Sequence, residues 1–86
     1  MKEFTYTIED ELGIHARPAG LLSKLAKTFP DTVVTVTKGG RTVKATQLMK
    51  LMNMAVKQGD TVTVAAEGPS EEAAAAALRQ FFEENL

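Results

Sequence analysis

The run Gly13-Ile14-His15-Ala16-Arg17-Pro18-Ala19 concentrates the chemistry of this 86-residue chain, and it holds the only histidine. A neutral imidazole is a nucleophile without help from a metal. Pro18 lacks an N–H and its fixed φ suits a first helical turn, so a helix is expected from about Arg17 to Thr28. His15 then falls at the mouth of a helix N-terminus, where unpaired N–H groups and the helix dipole favour anions. Arg17 adds a fixed charge whose fork matches phosphate oxygens. Gly13 frees the backbone of the preceding loop. A histidine so placed is suited to accept a phosphoryl group and pass it on, with His15, Ala16 and Arg17 holding the added charge. The plain alternative is a polar residue in a surface loop.

Composition removes other chemistries. There is no cysteine, so neither a disulfide framework nor a thiolate metal site is available. One histidine excludes a multi-histidine zinc site, and no metal or cofactor is expected. Apolar content of 44% with 24% charged residues is that of a soluble globular domain. Residues 1–86 are expected to form one such domain, burying about 60–65% of its unfolded surface. No apolar run approaches the roughly 20 residues of a membrane span, and Met1-Lys2-Glu3-Phe4 lacks the apolar core of a signal peptide. A cytoplasmic monomer without membrane insertion is the expectation.

The net charge of −1 conceals an asymmetry. Leu12 to Gly59 carries eight basic residues against one acid, Asp31, a net of +7. The flanks carry two basic residues against ten acids, a net of −8. The positive part holds His15 and would attract acidic partners. Nucleic acid is not an expected partner, because the only aromatic residue there, Phe29, sits at a core-facing position and offers no stacking platform.

The flanking elements are written in the periodicity. Phe4, Tyr6 and Ile8 alternate as on a half-buried strand, and Glu9-Asp10-Glu11 is expected to be a solvated loop. In the first helix Ala19, Leu22, Ala26 and Phe29 face the core, while Ser23, Lys24 and Lys27 point away. Two roles fit Gly20: packing, or keeping the approach to His15 open. Thr32–Thr37 and Thr42–Ala45 read as a hairpin turning at Gly39-Gly40. Thr46 is placed to cap a short second helix with Gln47 in its first turn. That helix has more apolar residues than one face needs. Either it is buried on most sides, or Leu51 and Ala55 take the core while Leu48, Met49 and Met52 form a binding patch. Val62, Val64 and Ala66 mark a last strand. A final helix is capped by Ser70, favoured at its start by Glu71 and Glu72, and packed through Ala74, Leu78, Phe81 and Phe82, with Glu83-Glu84 solvated.

The order is thus β-α-β-β-α-β-α, a small α+β open-faced sandwich with a four-stranded antiparallel sheet covered on one face by three helices. The heptapeptide, the chain length and the element order resemble HPr, the histidine-containing phosphocarrier of the bacterial sugar phosphotransferase system, over essentially the whole chain. The resemblance implies that His15 carries the phosphoryl group on Nδ1 and that Arg17 supports it. It implies transfer from phospho-enzyme I, charged by phosphoenolpyruvate, to IIA units of sugar permeases, with partners docking on Leu48, Met49, Lys50 and Met52; Gly20, Lys24 and Lys27 on the first helix are expected to join that partner-binding surface. Such a carrier is an intermediate rather than a free-standing enzyme. Some HPr-like proteins act instead as regulatory binding modules, which is the alternative reading. Many HPr proteins carry a regulatory serine at the start of the second helix. Gln47 stands at that position here, and the hydroxyl of Thr46 is displaced by one residue.

Overall fold

The computed structural model describes all 86 residues. Alternating residues build four strands, β1 (Lys2–Thr7), β2 (Val33–Lys38), β3 (Arg41–Lys44) and β4 (Thr61–Glu67). They join in the spatial order β1-β4-β2-β3, every neighbouring pair antiparallel. Helices α1 (Ala16–Lys27), α2 (Leu48–Asn53) and α3 (Glu71–Asn85) follow β1, β3 and β4 along the chain. The connection from β1 to β2 therefore passes over β4, the split arrangement expected of this element order.

The pleat sorts the side chains. Phe4, Val34, Val36, Val43, Val62, Val64 and Ala66 are buried in one core with Ile8, Leu22, Leu51, Leu78 and Phe82. The opposite face carries Thr5, Thr63, Thr37 and Thr42 in register across all four strands, and the Thr37 and Thr42 hydroxyls lie 2.8 Å apart. Phe82 anchors α3, with its ring edge-on to Phe4, Tyr6 and Phe81 at centroid distances of 6.0, 5.5 and 6.0 Å. Phe81 and Phe29 are only partly buried at the margin of this core.

Several local expectations need correcting. Helix α1 begins at Ala16, one residue before the expected Arg17, because His15 is the extended N-cap residue and its carbonyl already accepts the Ala19 N–H at 2.9 Å. Ser23 does not point to solvent. It is buried, and its hydroxyl donates to the Thr46 carbonyl at 3.1 Å, joining α1 to the start of α2. Thr46 does not cap α2: the cap position is Gln47, without a side-chain hydrogen bond. The chain at Ala45 still runs beside β2, with the Ala45 N–H bonded to the Val34 carbonyl at 2.9 Å, so the helix starts later than the threonine.

Helix α2 is short, and its core contact is Leu51, joined after the helix ends by Met54 and Val56. Ala55 is exposed, not core-facing, because the chain leaves α2 there in the left-handed conformation, at φ +54. That left-handed turn carries Met54 and Val56 both inward. Ser70 stands at the N-cap of α3, but its hydroxyl donates to Asp31 Oδ2 at 3.1 Å rather than to the helix.

Candidate functional site

The site starts with a glycine. Gly13 has φ +65, and a Cβ there would stand 2.1 Å from the Val56 carbonyl oxygen and 2.7 Å from Lys57 Cα. Its absent side chain therefore permits close approach, beyond the loop freedom expected of it. The Gly13 N–H donates to the Asp10 carbonyl at 3.0 Å, and the Ile14 N–H donates to the Val56 carbonyl at 3.0 Å. Ile14 is buried at 4% exposure and pins the turn to the core. The next residue, His15, is half-buried and leaves the turn in an extended conformation, φ −96 and ψ −173.

Helix α1 then begins with its donors free. The Ala16 and Arg17 N–H groups have no acceptor in the protein, and Pro18, third in α1, has no N–H to offer. The His15 side chain does not cap the helix, and no acid stands in the first turn. Arg17 is exposed and takes part in none of the ion pairs, which join Met1 to Glu71, Lys2 to Glu72 and Lys38 to Asp60. Two amide donors, one guanidinium and an imidazole without a protein partner thus share one helix end. Such a set can bind a tetrahedral dianion beside a nitrogen nucleophile.

His15, Arg17, Pro18 and Leu21 line an open depression together with Asp10, Glu84 and Asn85. Sequence pattern did not point to the last three as neighbours of His15. Asp10 is not merely solvated: its Oδ1 accepts the Leu12 N–H at 2.8 Å and shapes the turn. Glu84 and Asn85 arrive because the Leu86 carbonyl accepts the Glu9 and Asp10 N–H groups at 2.6 and 2.9 Å. No local sequence signal marks that meeting, since the partners lie at opposite ends of the chain. The acidic flanks therefore reach the rim of the depression, and the positive field around His15 is narrower than charge counting implies.

The remaining candidates lie on the outer surface of α1 and α2. Lys24, Lys27 and Lys50 are exposed. Leu48, Met49 and Met52 are 38%, 68% and 37% exposed, so α2 is not buried on most sides. Leu21 adds apolar surface at 44% exposure. A Cβ on Gly20 would meet nothing within 4 Å, which removes the packing explanation and leaves a cleared stretch of helix surface.

Comparisons with known proteins agree with this fold. The family model described as "PTS HPr component phosphorylation site" matches residues 2–84. The phosphocarrier protein HPr of Mycoplasma genitalium is 35% identical over 85 residues, covering 99% of this chain and 97% of that protein. The HPr of Vibrio cholerae is 42% identical over 69 residues, 80% of each chain. Among solved structures, a Mycoplasma histidine-containing phosphocarrier protein superposes with a TM-score of 0.92 at 31% identity, covering 96% of this chain and 93% of that one. The HPr of Thermoanaerobacter tengcongensis superposes with a TM-score of 0.91 at 39% identity, covering 98% and 93%.

Proposed function

This chain belongs to the HPr family, and from that premise we propose that His15 receives a phosphoryl group from phospho-enzyme I and delivers it to IIA units of sugar permeases. One observation carries the reading: the Ala16 and Arg17 amides stand unpaired beside a half-buried histidine whose ring makes no hydrogen bond within the protein.

The transfer is an exchange of one N–P bond for another. Neutral His15 attacks phosphorus through Nδ1 as the bond to the donor histidine of enzyme I breaks, and that imidazole departs with the electron pair. Charge spread over the phosphoryl oxygens is met by the two amides and the Arg17 guanidinium. The amides are fixed by the helix and need no reorganisation when the group arrives. Delivery to a IIA unit reverses the roles, with His15 as leaving group. The depression is open and shallow, so each partner must close the site and exclude water. Leu48, Met49, Lys50 and Met52 on α2, with Gly20, Lys24 and Lys27 on α1, offer an apolar centre with a basic rim for docking. The working unit in this reading is one chain in the cytoplasm.

Incubation with enzyme I and phosphoenolpyruvate, followed by intact mass measurement, tests the proposal. A gain of one acid-labile phosphoryl group supports it, and an unchanged mass refutes it. The exposed α2 patch alone would also serve a regulatory binding module, which needs no His15 chemistry. Partner capture that persists undiminished in a chain never able to accept phosphate would favour that second reading.

A further inference from the structure

One cluster outside the depression ties distant elements to the segment on which the His15 turn rests. Ala55, just past α2, is the only residue other than glycine in the left-handed region. A Cβ is crowded there by a neighbouring carbonyl, so the conformation persists only where its surroundings hold it. Lys38, at the end of β2, reaches that point. Its Nζ donates to the Ala55 carbonyl at 3.0 Å and pairs with Asp60 Oδ2 at 2.8 Å. The same Oδ2 accepts the Lys57 N–H at 2.8 Å. Both side chains of the pair are about two-thirds withdrawn from water, at 31% and 32% exposure, so solvent screens them less than a fully exposed pair.

Val56 lies inside this bracket. Its carbonyl accepts the Ile14 N–H at 3.0 Å and sits against the bare Cα of Gly13. Gly13 and Ile14 are the two residues immediately before His15. A shift of residues 55–57 must therefore move the turn that presents the imidazole, because Gly13 has no room to slide.

The geometry points to a clasp: Lys38 and Asp60 hold the strained turn at Ala55 and, through Val56 and Ile14, position His15 for phosphoryl transfer. They are positioning residues and touch no reacting atom. The functional half of this inference rests on the carrier reading, whereas the structural half stands on the contacts alone.

Ala55→Gly separates positioning from general stability. Glycine adopts the left-handed conformation without crowding, so it should make the clasp dispensable. In Lys38→Met, which keeps the apolar stem, amide exchange of Ile14 should rise about tenfold while Val62 and Val64 in β4 keep their protection. Phosphoryl acceptance from phospho-enzyme I should fall about tenfold in kcat with KM for this chain unchanged. Adding Ala55→Gly should return both quantities towards the wild type. The clasp is refuted if Ile14 exchange is unaltered, if β4 loosens equally, or if Ala55→Gly brings no recovery. Should the wild type accept no phosphoryl group, the carrier reading fails, and the exchange measurements still decide the clasp.

Discussion

Two helix starts in this molecule face the same electrostatic problem and solve it oppositely. Helix α3 answers with its own chain. Glu71 and Glu72 occupy its first turn, Glu71 Oε1 reaches back to the Gly68 N–H at 3.2 Å, and the Ser70 N–H donates to Thr32 Oγ1 at 3.0 Å. Neither helix has a side-chain cap, but α1 has no acid in its first turn and places Arg17 there instead. A basic residue at a helix N-terminus is unfavourable for the isolated helix. The contrast teaches that α3 meets its dipole with its own carboxylates, whereas α1 leaves the same end without a negative group of its own.

Breaking the α1 side of this comparison should have the largest effect. His15→Ala should abolish phosphoryl acceptance and leave the circular dichroism spectrum and melting temperature close to wild type, since the ring makes no hydrogen bond to the helix it precedes. Undiminished labelling would remove His15 from the mechanism. Next comes Arg17→Ala, expected to slow transfer by about a hundredfold, the order seen when one transition-state donor is removed. Unchanged rates in both directions would make Arg17 a surface charge. Met49→Glu should weaken binding to enzyme I by about tenfold. The side chain is 68% exposed, so stability should change by no more than about 0.5 kcal/mol. A large fall in melting temperature would contradict the docking role.

The start of α2 sharpens the same contrast at smaller scale. Gln47 holds the cap position and has no hydroxyl, and Thr46 precedes the helix with its carbonyl tied to Ser23. A kinase of the HPr serine type should leave no stoichiometric phosphate on Thr46, and acid-stable phosphate there would overturn this. The smallest effect concerns acid. The hydrogen bond from Lys38, with that from the Lys57 amide, holds the Asp60 carboxyl below its ordinary value of 3.8. Its contribution to stability is therefore complete above that value and lost as pH falls through the lower value of the folded state. Wild type should exceed Asp60→Asn in urea resistance by a constant margin near neutrality, shrinking only in strong acid.

The strands, the hairpin and the helix order were legible because each is written in a local period. The place of His15 at the start of α1 was legible for the same reason: proline, arginine and histidine act over a single turn. The reason for Gly13 was not, since the carbonyl that crowds it belongs to Val56, more than forty residues away. Ser23 misled because a hydroxyl reads as outward until its acceptor on Thr46 is brought beside it. Ala55 carries no mark of its left-handed conformation: it lies between the buried Met54 and Val56, and its carbonyl accepts from Lys38, distant in sequence. Asp10 and Glu84 meet at the depression only through the closing of the two chain ends on each other.

In the proposed carrier role the open start of α1, and not that of α3, receives the phosphoryl charge. Amide proton and nitrogen shifts recorded before and after phosphorylation by enzyme I and phosphoenolpyruvate test it directly. Large downfield shifts are expected at Ala16 and Arg17, with Glu71, Glu72 and Ala73 unmoved. Phosphorylation that leaves Ala16 and Arg17 in place, or that shifts the start of α3 as strongly, would contradict the claim.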